Sequence, residues 1–195
     1  MDTSPLTELK AVNLMLRVDG EAPVDTLDDS AFSEVATARA VLEEVARDEQ
    51  TEGYAFNTDY NRQFTPDALT GHITLPADTL WIKPTGYSIG LDVVERGRKL
   101  YNLATNSYVF TSPVYLDVCM FLPFDSLPSY ARSYIGIKAA RRYQKNATGS
   151  QRQDLFTAED EMIARASMKK ADQRARRRGT FRTAYGASLI TRRPI

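Results

Sequence analysis

LPSYARSYIGIKAARRYQKN, residues 127–146, is the segment around which the other predicted elements are arranged. Pro128 suits the first turn of a helix, where its missing N–H would be unpaired anyway, and the next turn signal is Gly149-Ser150. At about 100° per residue, one side of this helix is aromatic and aliphatic at its start and basic towards its end. The residues on that side are Tyr130, Tyr134, Ile137, Lys138, Arg141, Arg142 and Lys145.

Two interpretations of this basic half remain open. Charge runs are usually solvated faces, so the stretch is compatible with an amphipathic core helix whose far end lies in water. Alternatively, the helix packs in a bundle at one end and its basic end meets an acidic partner.

The net charge of zero hides two halves of opposite sign. Residues 1–125 carry 9 Lys+Arg and 20 Asp+Glu, a balance of −11, and residues 126–195 carry 16 and 5, a balance of +11. Such halves attract each other, either within one chain or from copy to copy in a closed ring.

Two helices are predicted before this stretch. Ser4-Pro5 predicts the start of the first helix, which ends near Asp19-Gly20. An acidic connector then leads to a second helix, which starts at Asp28, Asp29 or Ser30 and stops at Gly53. The outer face of the second helix is acidic, with Glu43, Glu44, Asp48, Glu49 and Glu52.

Residues 54–124 change to a period of two and are rich in β-branched and aromatic residues, which predicts short antiparallel strands. Within this block, Arg98–Ala104 and Ser107–Phe110 are predicted to form a hairpin around Thr105-Asn106. A fourth helix is predicted from about Gln151 to Arg178. Its first half has a core face and its second half continues as a basic side, the relevant residues being Leu155, Phe156, Met162, Ile163, Ala166, Lys169, Lys170, Arg174 and Arg177.

The predicted fold class is therefore α+β. A four-helix bundle, residues 1–53 and 125–178, is interrupted by a small antiparallel β insertion at residues 54–124. An extended C-terminal tail follows at residues 179–195, and Phe181 and Tyr185 are apolar anchors on it that a partner groove could hold.

Several classes of protein find no support in the sequence. The single Cys119 excludes an intrachain disulfide and a cysteine-based zinc site, and its apolar neighbours predict a buried small side chain. No stretch approaches the roughly 18 apolar residues of a membrane helix, and the N-terminus has no signal-peptide pattern. We expect synthesis in a cytoplasm-like compartment and no membrane insertion.

Catalytic patterns are also missing from the sequence. His72 is the only histidine, so we expect it to be structural or on the surface. Neither a P-loop nor a G-x-G-x-x-G loop occurs. The sequence therefore predicts no catalytic residue, no metal and no cofactor.

Two alternative functions remain. Paired carboxylates with Trp81 could serve glycoside binding or hydrolysis, the candidates being Asp59, Asp67, Asp78, Asp92 and Asp117. The run RARRRGTFR, residues 174–182, with Lys169 and Lys170 before it, could bind a phosphate backbone without sequence specificity.

Three segments in order carry a resemblance to a known family. They are ELKAVNLMLRVDGEAPVDTLDD (8–29), ATARAVLEEVARDEQTEGYAFNTD (36–59) and LPSYARSYIGIKAARRYQ (127–144) with its long charged successor. The chain resembles the tail tubular protein A family, the head-to-tail adaptors, or gatekeepers, of short-tailed podovirus phages. The resemblance covers most of residues 8–178.

The resemblance implies a structural protein of the virion tail, made in the bacterial host cytoplasm, and not an enzyme. It implies a homo-dodecameric ring beneath the portal protein and above the nozzle of tail tubular protein B. Such a ring offers attachment places for tail fibres, and double-stranded DNA passes through its channel without sequence-specific contact.

The charged residues are assigned to contacts as a hypothesis. The acidic second helix (Glu43, Glu44, Asp48, Glu49) is expected to meet the basic ends of the third and fourth helices, within or between subunits. Those basic residues are Lys138, Arg141, Arg142, Lys169 and Lys170. The run Arg176, Arg177 and Arg178, with the tail from Gly179, is expected to reach the portal, and the β insertion to face the nozzle and fibres.

Overall fold

The computed structural model describes residues 5–28, 33–146 and 157–187. The described part contains four helices: α1 (Glu8–Asp19), α2 (Ser33–Gln50), α3 (Ser129–Asn146) and α4 (Ala158–Ala187). Five strands lie between α2 and α3: β1 (Thr58–Phe64), β2 (Thr79–Pro84), β3 (Val93–Arg96), β4 (Lys99–Asn102) and β5 (Val114–Met120). The predicted mixture of four helices with small antiparallel sheets is confirmed.

The chain divides into two compact units. The helical unit comprises Met1–Ala46 and Phe124–Ile195, and the β unit comprises Arg47–Pro123. The β unit therefore includes the last turn of α2, whereas the residue pattern predicts its start at 54. In the helical unit, α3 packs against both α1 and α4. That all four helices close into one bundle stays a prediction.

Helix α1 begins later than the Ser4-Pro5 pair predicts. The Thr7 side chain caps the helix by accepting a hydrogen bond of 3.3 Å from a backbone N–H of the first turn. The predicted end is confirmed, because Gly20 takes the left-handed conformation (φ 83) that terminates many helices. Of the predicted caps of α2, Asp29 and Ser30 lie outside the described residues.

The connector after α1 is held by one side chain. The amide of Asn13 makes two hydrogen bonds of 2.8 Å to the backbone of Val24, with Nδ2 donating to the carbonyl oxygen and Oδ1 accepting from the N–H. The backbone N–H and carbonyl of Val24, in a segment without regular structure, are thus both hydrogen-bonded by a side chain of the preceding helix.

The predicted aromatic side of α3 is buried at Tyr134, which is 1% exposed, but the tightly packed side includes other positions as well. Ala131, Ile135 and Ala139 are fully buried, whereas Tyr130 and Ile137 are only half-buried. The reason is close approach: small residues let neighbouring segments come near the helix backbone. At Gly136, in the same helix, an added Cβ would lie 2.6 Å from a methyl carbon of Leu6.

Helix α4 is capped at its start and extends past its predicted end. The Thr157 hydroxyl accepts from the Asp160 N–H at 3.2 Å, and Asp160 Oδ2 accepts from the Thr157 N–H at 2.9 Å. This reciprocal pair is a capping box. We predicted an extended tail from Gly179, but the helix continues to Ala187, since one glycine costs a helix only about 1 kcal/mol. Predicted core residues Leu155 and Phe156 lie outside the described residues.

The β unit contains two antiparallel sheets. The first has the strand order β1-β5-β2, and the second is the hairpin of β3 and β4. The predicted hairpin around Thr105-Asn106 is wrong. Strand β4 pairs with β3 across the turn at Gly97-Arg98, and only a single bridge joins Asn102 to Ser107. Alternating residues indicate strands but do not identify which strands pair.

One core lies under the strands of the β unit. Leu100, Leu116 and Val118 are completely buried, and Ile73 and Leu75 are 1% exposed. These residues come from both sheets and from the segment that bridges to β4, so the hairpin is anchored by apolar packing as well as by hydrogen bonds.

A polar network closes the β unit where the chain enters and leaves it. The buried amide of Gln50 donates from Nε2 to the Leu122 carbonyl oxygen at 2.9 Å and accepts at Oε1 from the Leu122 N–H at 2.8 Å. The Gln50 carbonyl oxygen accepts from Asn57 Nδ2 at 2.9 Å and from the Cys119 thiol at 3.3 Å. We call this pairing of Gln50 with Leu122 the amide clamp.

Replacing Gln50 with leucine, which has a similar size, should lower the free energy of unfolding by about 2–4 kcal/mol. The physical reason is that two part-buried backbone groups of Leu122 would lose their partners, and an unsatisfied group costs about 1–3 kcal/mol when it is fully buried. Urea denaturation followed by fluorescence of Trp81, the one tryptophan of the chain, measures this change. Gln173→Leu, at an exposed position of α4, is the matched control. Equal stability of the two variants would contradict the role of the clamp.

Candidate protein interface

The acidic side of α2 is exposed except at Glu49. Glu43, Glu44 and Asp48 are exposed, whereas Glu49 is 4% exposed and accepts a hydrogen bond of 3.3 Å from the Tyr54 hydroxyl. The expectation of a solvent-facing Glu49 is therefore corrected. It lies in the last turn of α2, which packs inside the β unit.

Arg142 connects α3 to α2 within the helical unit. Its Nη2 atom lies 2.6 Å from Glu44 Oε1, and the two side chains are 39% and 55% exposed. One charged contact expected between the second and third helices thus exists within a single chain. Because exposed ion pairs contribute only about 0–1 kcal/mol, it orients the helices more than it stabilises them.

Arg141 connects α3 to α4 by an ion pair with Glu161. The two side chains are 24% and 23% exposed, so both charges are largely removed from water. Removing one partner of such a pair leaves the other charge poorly solvated, which costs more than breaking a surface pair. Lys138, one turn before Arg141, is half-buried.

The basic residues of α4 fall into two groups. Lys169 and Lys170 are exposed and form no ion pair with another described residue. Arg176 pairs with Asp172 in the next turn at 2.9 Å, and the Asp172 side chain is only 6% exposed. Arg177, Arg178, Phe181 and Tyr185 belong to the backbone of α4, and their side chains lie outside the described part of the chain.

An open cleft of 530 Å³ runs between α3 and α4, and sequence reasoning missed it. Its walls include Tyr130 and Ile137 of α3 and Ile163 of α4. Ile163 and Met162, predicted as core residues, are 60% and 68% exposed. Burial, and then the Asp172 carboxylate, raise the pKa of the Tyr130 hydroxyl, so this side chain stays neutral.

The carboxylates considered for sugar chemistry are mostly engaged in local structure. Asp59 pairs with Arg62 at 3.0 Å, and Asp117 accepts from the Asn61 N–H at 2.8 Å. Hydrogen bonds from the backbone and hydroxyl of Thr70 lower the pKa of Asp67. The Trp81 ring is half-buried and donates from Nε1 to a backbone carbonyl. These side chains shape turns and packing.

His72 and Cys119 are placed as the sequence predicts. His72 Nδ1 lies 3.4 Å from Lys99 Nζ, and the ring lies 6.0 Å from that of Tyr108 in a half-buried surface cluster. Cys119 is completely buried, and burial raises the pKa of its thiol. Across residues 5–28, 33–146 and 157–187, no group of His, Cys, Asp and Glu side chains could hold a metal ion.

Three ion pairs join one helix of the helical unit to another: Arg39–Glu8, Arg141–Glu161 and Arg142–Glu44. The family model described as "Tail tubular protein" matches residues 9–178, and the chain therefore belongs to the tail tubular protein family. It is 32% identical to the tail tubular protein A of Klebsiella phage KP34 over 130 residues, which are 67% of this chain and 67% of that protein.

Membership of this family makes the chain a structural component of the phage virion tail and not an enzyme. No described helix is both long enough and apolar enough to cross a lipid bilayer.

Exchanging the charges of Arg141 and Glu161 should show whether the coupling energy of this pair is larger than that of an exposed ion pair. Arg141→Glu alone places two carboxylates together with little water and should lower the free energy of unfolding by about 3–5 kcal/mol. The exchange Arg141→Glu/Glu161→Arg should restore more than half of the loss. Urea denaturation of the two single variants and the exchange gives the coupling, and the Arg142–Glu44 pair serves as the exposed control. Additive losses would show that the pair does not interact.

The capping box of α4 predicts a pH dependence. Hydrogen bonds from the Thr157 backbone and hydroxyl lower the pKa of Asp160 below its ordinary value of 3.8. A lowered pKa means that the carboxylate stabilises the folded helix fully above pH 3.8, and that this contribution is lost as the pH falls through the folded-state pKa. Carbon NMR of the Asp160 carboxyl group should therefore show a midpoint below 3.8. Thr157→Val removes the hydroxyl and should move that midpoint upwards; a midpoint unchanged by this substitution would contradict the box.

Proposed function

We propose that this chain is the subunit of a head-to-tail adaptor ring in a short-tailed phage. In this proposal, a homo-dodecameric ring binds the portal protein on one side and the nozzle of tail tubular protein B on the other. The ring forms part of the channel through which the DNA leaves the capsid, and it offers attachment places for tail fibres.

The observation that carries this proposal is the family match across residues 9–178, which extends through both compact units. The matched range includes all of α1 but its first residue, all of α2 and α3, and every strand described in the β unit. The match to the tail tubular protein family therefore covers the parts of the chain that would form the proposed ring.

The charge distribution supports contacts between copies. The sequence halves of −11 and +11 provide charged groups of both signs on each copy, and a contact between different surfaces of two copies closes into a ring when the rotation allows it. The ion pairs of Arg141 and Arg142 are satisfied within one chain. Lys169 and Lys170 remain exposed on α4, and we assign them to the contact with a neighbour or with the portal.

The remaining partners are assigned by unit. In the proposed ring, the four helices form one bundle, and the basic end of α4 with the residues after it reaches the portal. The β unit faces the nozzle and the fibres. DNA in the channel is contacted without sequence specificity, through charge alone.

Electron microscopy of the purified protein, alone and mixed with portal rings from the same phage, tests the proposal. We expect additional twelvefold density at one end of the portal. A persistent monomer that does not bind the portal would overturn the adaptor assignment while leaving the family assignment in place.

Charge reversal at Lys169 and Lys170 tests the assigned contact. Lys169→Glu/Lys170→Glu should reduce ring formation on the portal without changing the urea denaturation of the monomer, because both side chains are exposed. Arg17→Glu/Lys83→Glu, at two other exposed positions, makes the same change in net charge and is the control. Equal ring formation by the two variants would remove Lys169 and Lys170 from the interface.

A further inference from the structure

The outer face of the β3–β4 hairpin concentrates positive charge. Of the nine Lys and Arg residues in the acidic half of the chain, three lie within four positions: Arg96, Arg98 and Lys99. Arg96 and Lys99 are cross-strand partners, as are Val94 and Tyr101, so these four side chains share one face of the hairpin. Leu100, on the opposite face, is completely buried.

An aromatic ring holds one of these cations, Arg96, in place. The Arg96 guanidinium carbon lies 3.9 Å from the centre of the Tyr101 ring, and the Tyr101 and Tyr108 rings lie 4.8 Å apart. No described carboxylate forms an ion pair with Arg96, Arg98 or Lys99. We call Arg96, Arg98, Lys99, Tyr101 and Tyr108 the hairpin patch. Arginine and tyrosine are the residue types that dominate the binding energy of protein interfaces.

A complementary surface lies in the helical unit. A cavity of 330 Å³ has an apolar floor that includes Leu16 and Val24, and three carboxylates line it: Glu21, Asp25 and Glu34. None of the three forms an ion pair with another described residue. Asn13 fixes Val24 by two hydrogen bonds, so this acidic cavity is built on a restrained connector.

We propose that the hairpin patch of one copy binds in the acidic cavity of the next copy. The cavity is near the lower end of ligand-pocket volumes, about 300–1,000 Å³, so it suits one or two large side chains such as those at the hairpin turn. The patch and the cavity are different surfaces of the same chain, so their contact is heterologous and can close a ring. This inference rests on the proposed ring and names the residues that join its copies.

The surroundings of the patch favour a protein partner over nucleic acid. Val109, which bridges to His72 beside Tyr108, is 54% exposed. An exposed apolar side chain next to Arg and Tyr is typical of the core of a protein interface, whereas DNA contacts are more polar and more strongly charged.

Complementary charge reversal tests this contact in solution. The hairpin variant is Arg98→Glu/Lys99→Glu, and the cavity variant is Asp25→Lys/Glu34→Lys. In either variant alone, like charges would face each other, and self-association should weaken by at least about tenfold. In an equimolar mixture, each reversed surface meets its complement, so association should return with alternating copies. Native mass spectrometry measures this with the full chain, and Arg17→Glu/Lys83→Glu is the charge-matched control.

The outcomes below support or overturn the contact between the hairpin patch and the acidic cavity. If the mixture associates and neither variant associates alone, the contact between the hairpin patch and the acidic cavity is supported. If the unmodified protein then forms no ring on the portal, only the adaptor proposal is overturned. Ring formation by the hairpin variant at the unmodified level overturns the contact and leaves the adaptor proposal intact. Normal rings with loss of salt-sensitive DNA binding would instead assign the patch to nucleic acid.

Discussion

The β unit depends on a buried amide at the junction where the chain enters and leaves it. Gln50 hydrogen-bonds both backbone groups of Leu122, and its own carbonyl oxygen is shared by Asn57 and Cys119. These groups are buried, so each would lose water without gaining a partner if Gln50 were absent. The end of α2 and the segment after β5 are thereby fixed together, and the sheet between them is positioned from this point.

The helical unit uses part of its charge internally. Arg141, Arg142 and Arg176 each pair with a carboxylate of the same chain. The groups that we assign to partners are the exposed lysines of α4, the hairpin patch and the carboxylates of the acidic cavity. A large charge imbalance along a sequence therefore overstates the charge that a folded chain presents to its neighbours, because complementary groups meet within the chain first.

Local signals predicted the elements but not their partners. Gly20 marked the end of α1 because capping depends on nearby residues. The basic side of α3 predicted a contact with the acidic side of α2, which Arg142 makes with Glu44, but not the pair of Arg141 with Glu161. The hairpin pairing was wrong and the burial of Glu49 was unforeseen, since both depend on segments distant in sequence. Neither the amide clamp nor the acidic cavity corresponds to a periodic pattern in the sequence, so neither could be predicted from it. The sequence does not distinguish a buried glutamine at a helix end from a solvated one. Nor does it distinguish acidic residues in a restrained connector from acidic residues in a solvated one.

The amide clamp also has a mechanical consequence. Tension applied between α2 and α3 reaches Gln50 and Leu122 before it reaches any strand, and the two hydrogen bonds joining these residues carry it directly across. The strands between Gln50 and Leu122 therefore carry none of this force until the two hydrogen bonds of the clamp break. In this virion tail component, the clamp thus connects the β unit in parallel with such a load and not in series.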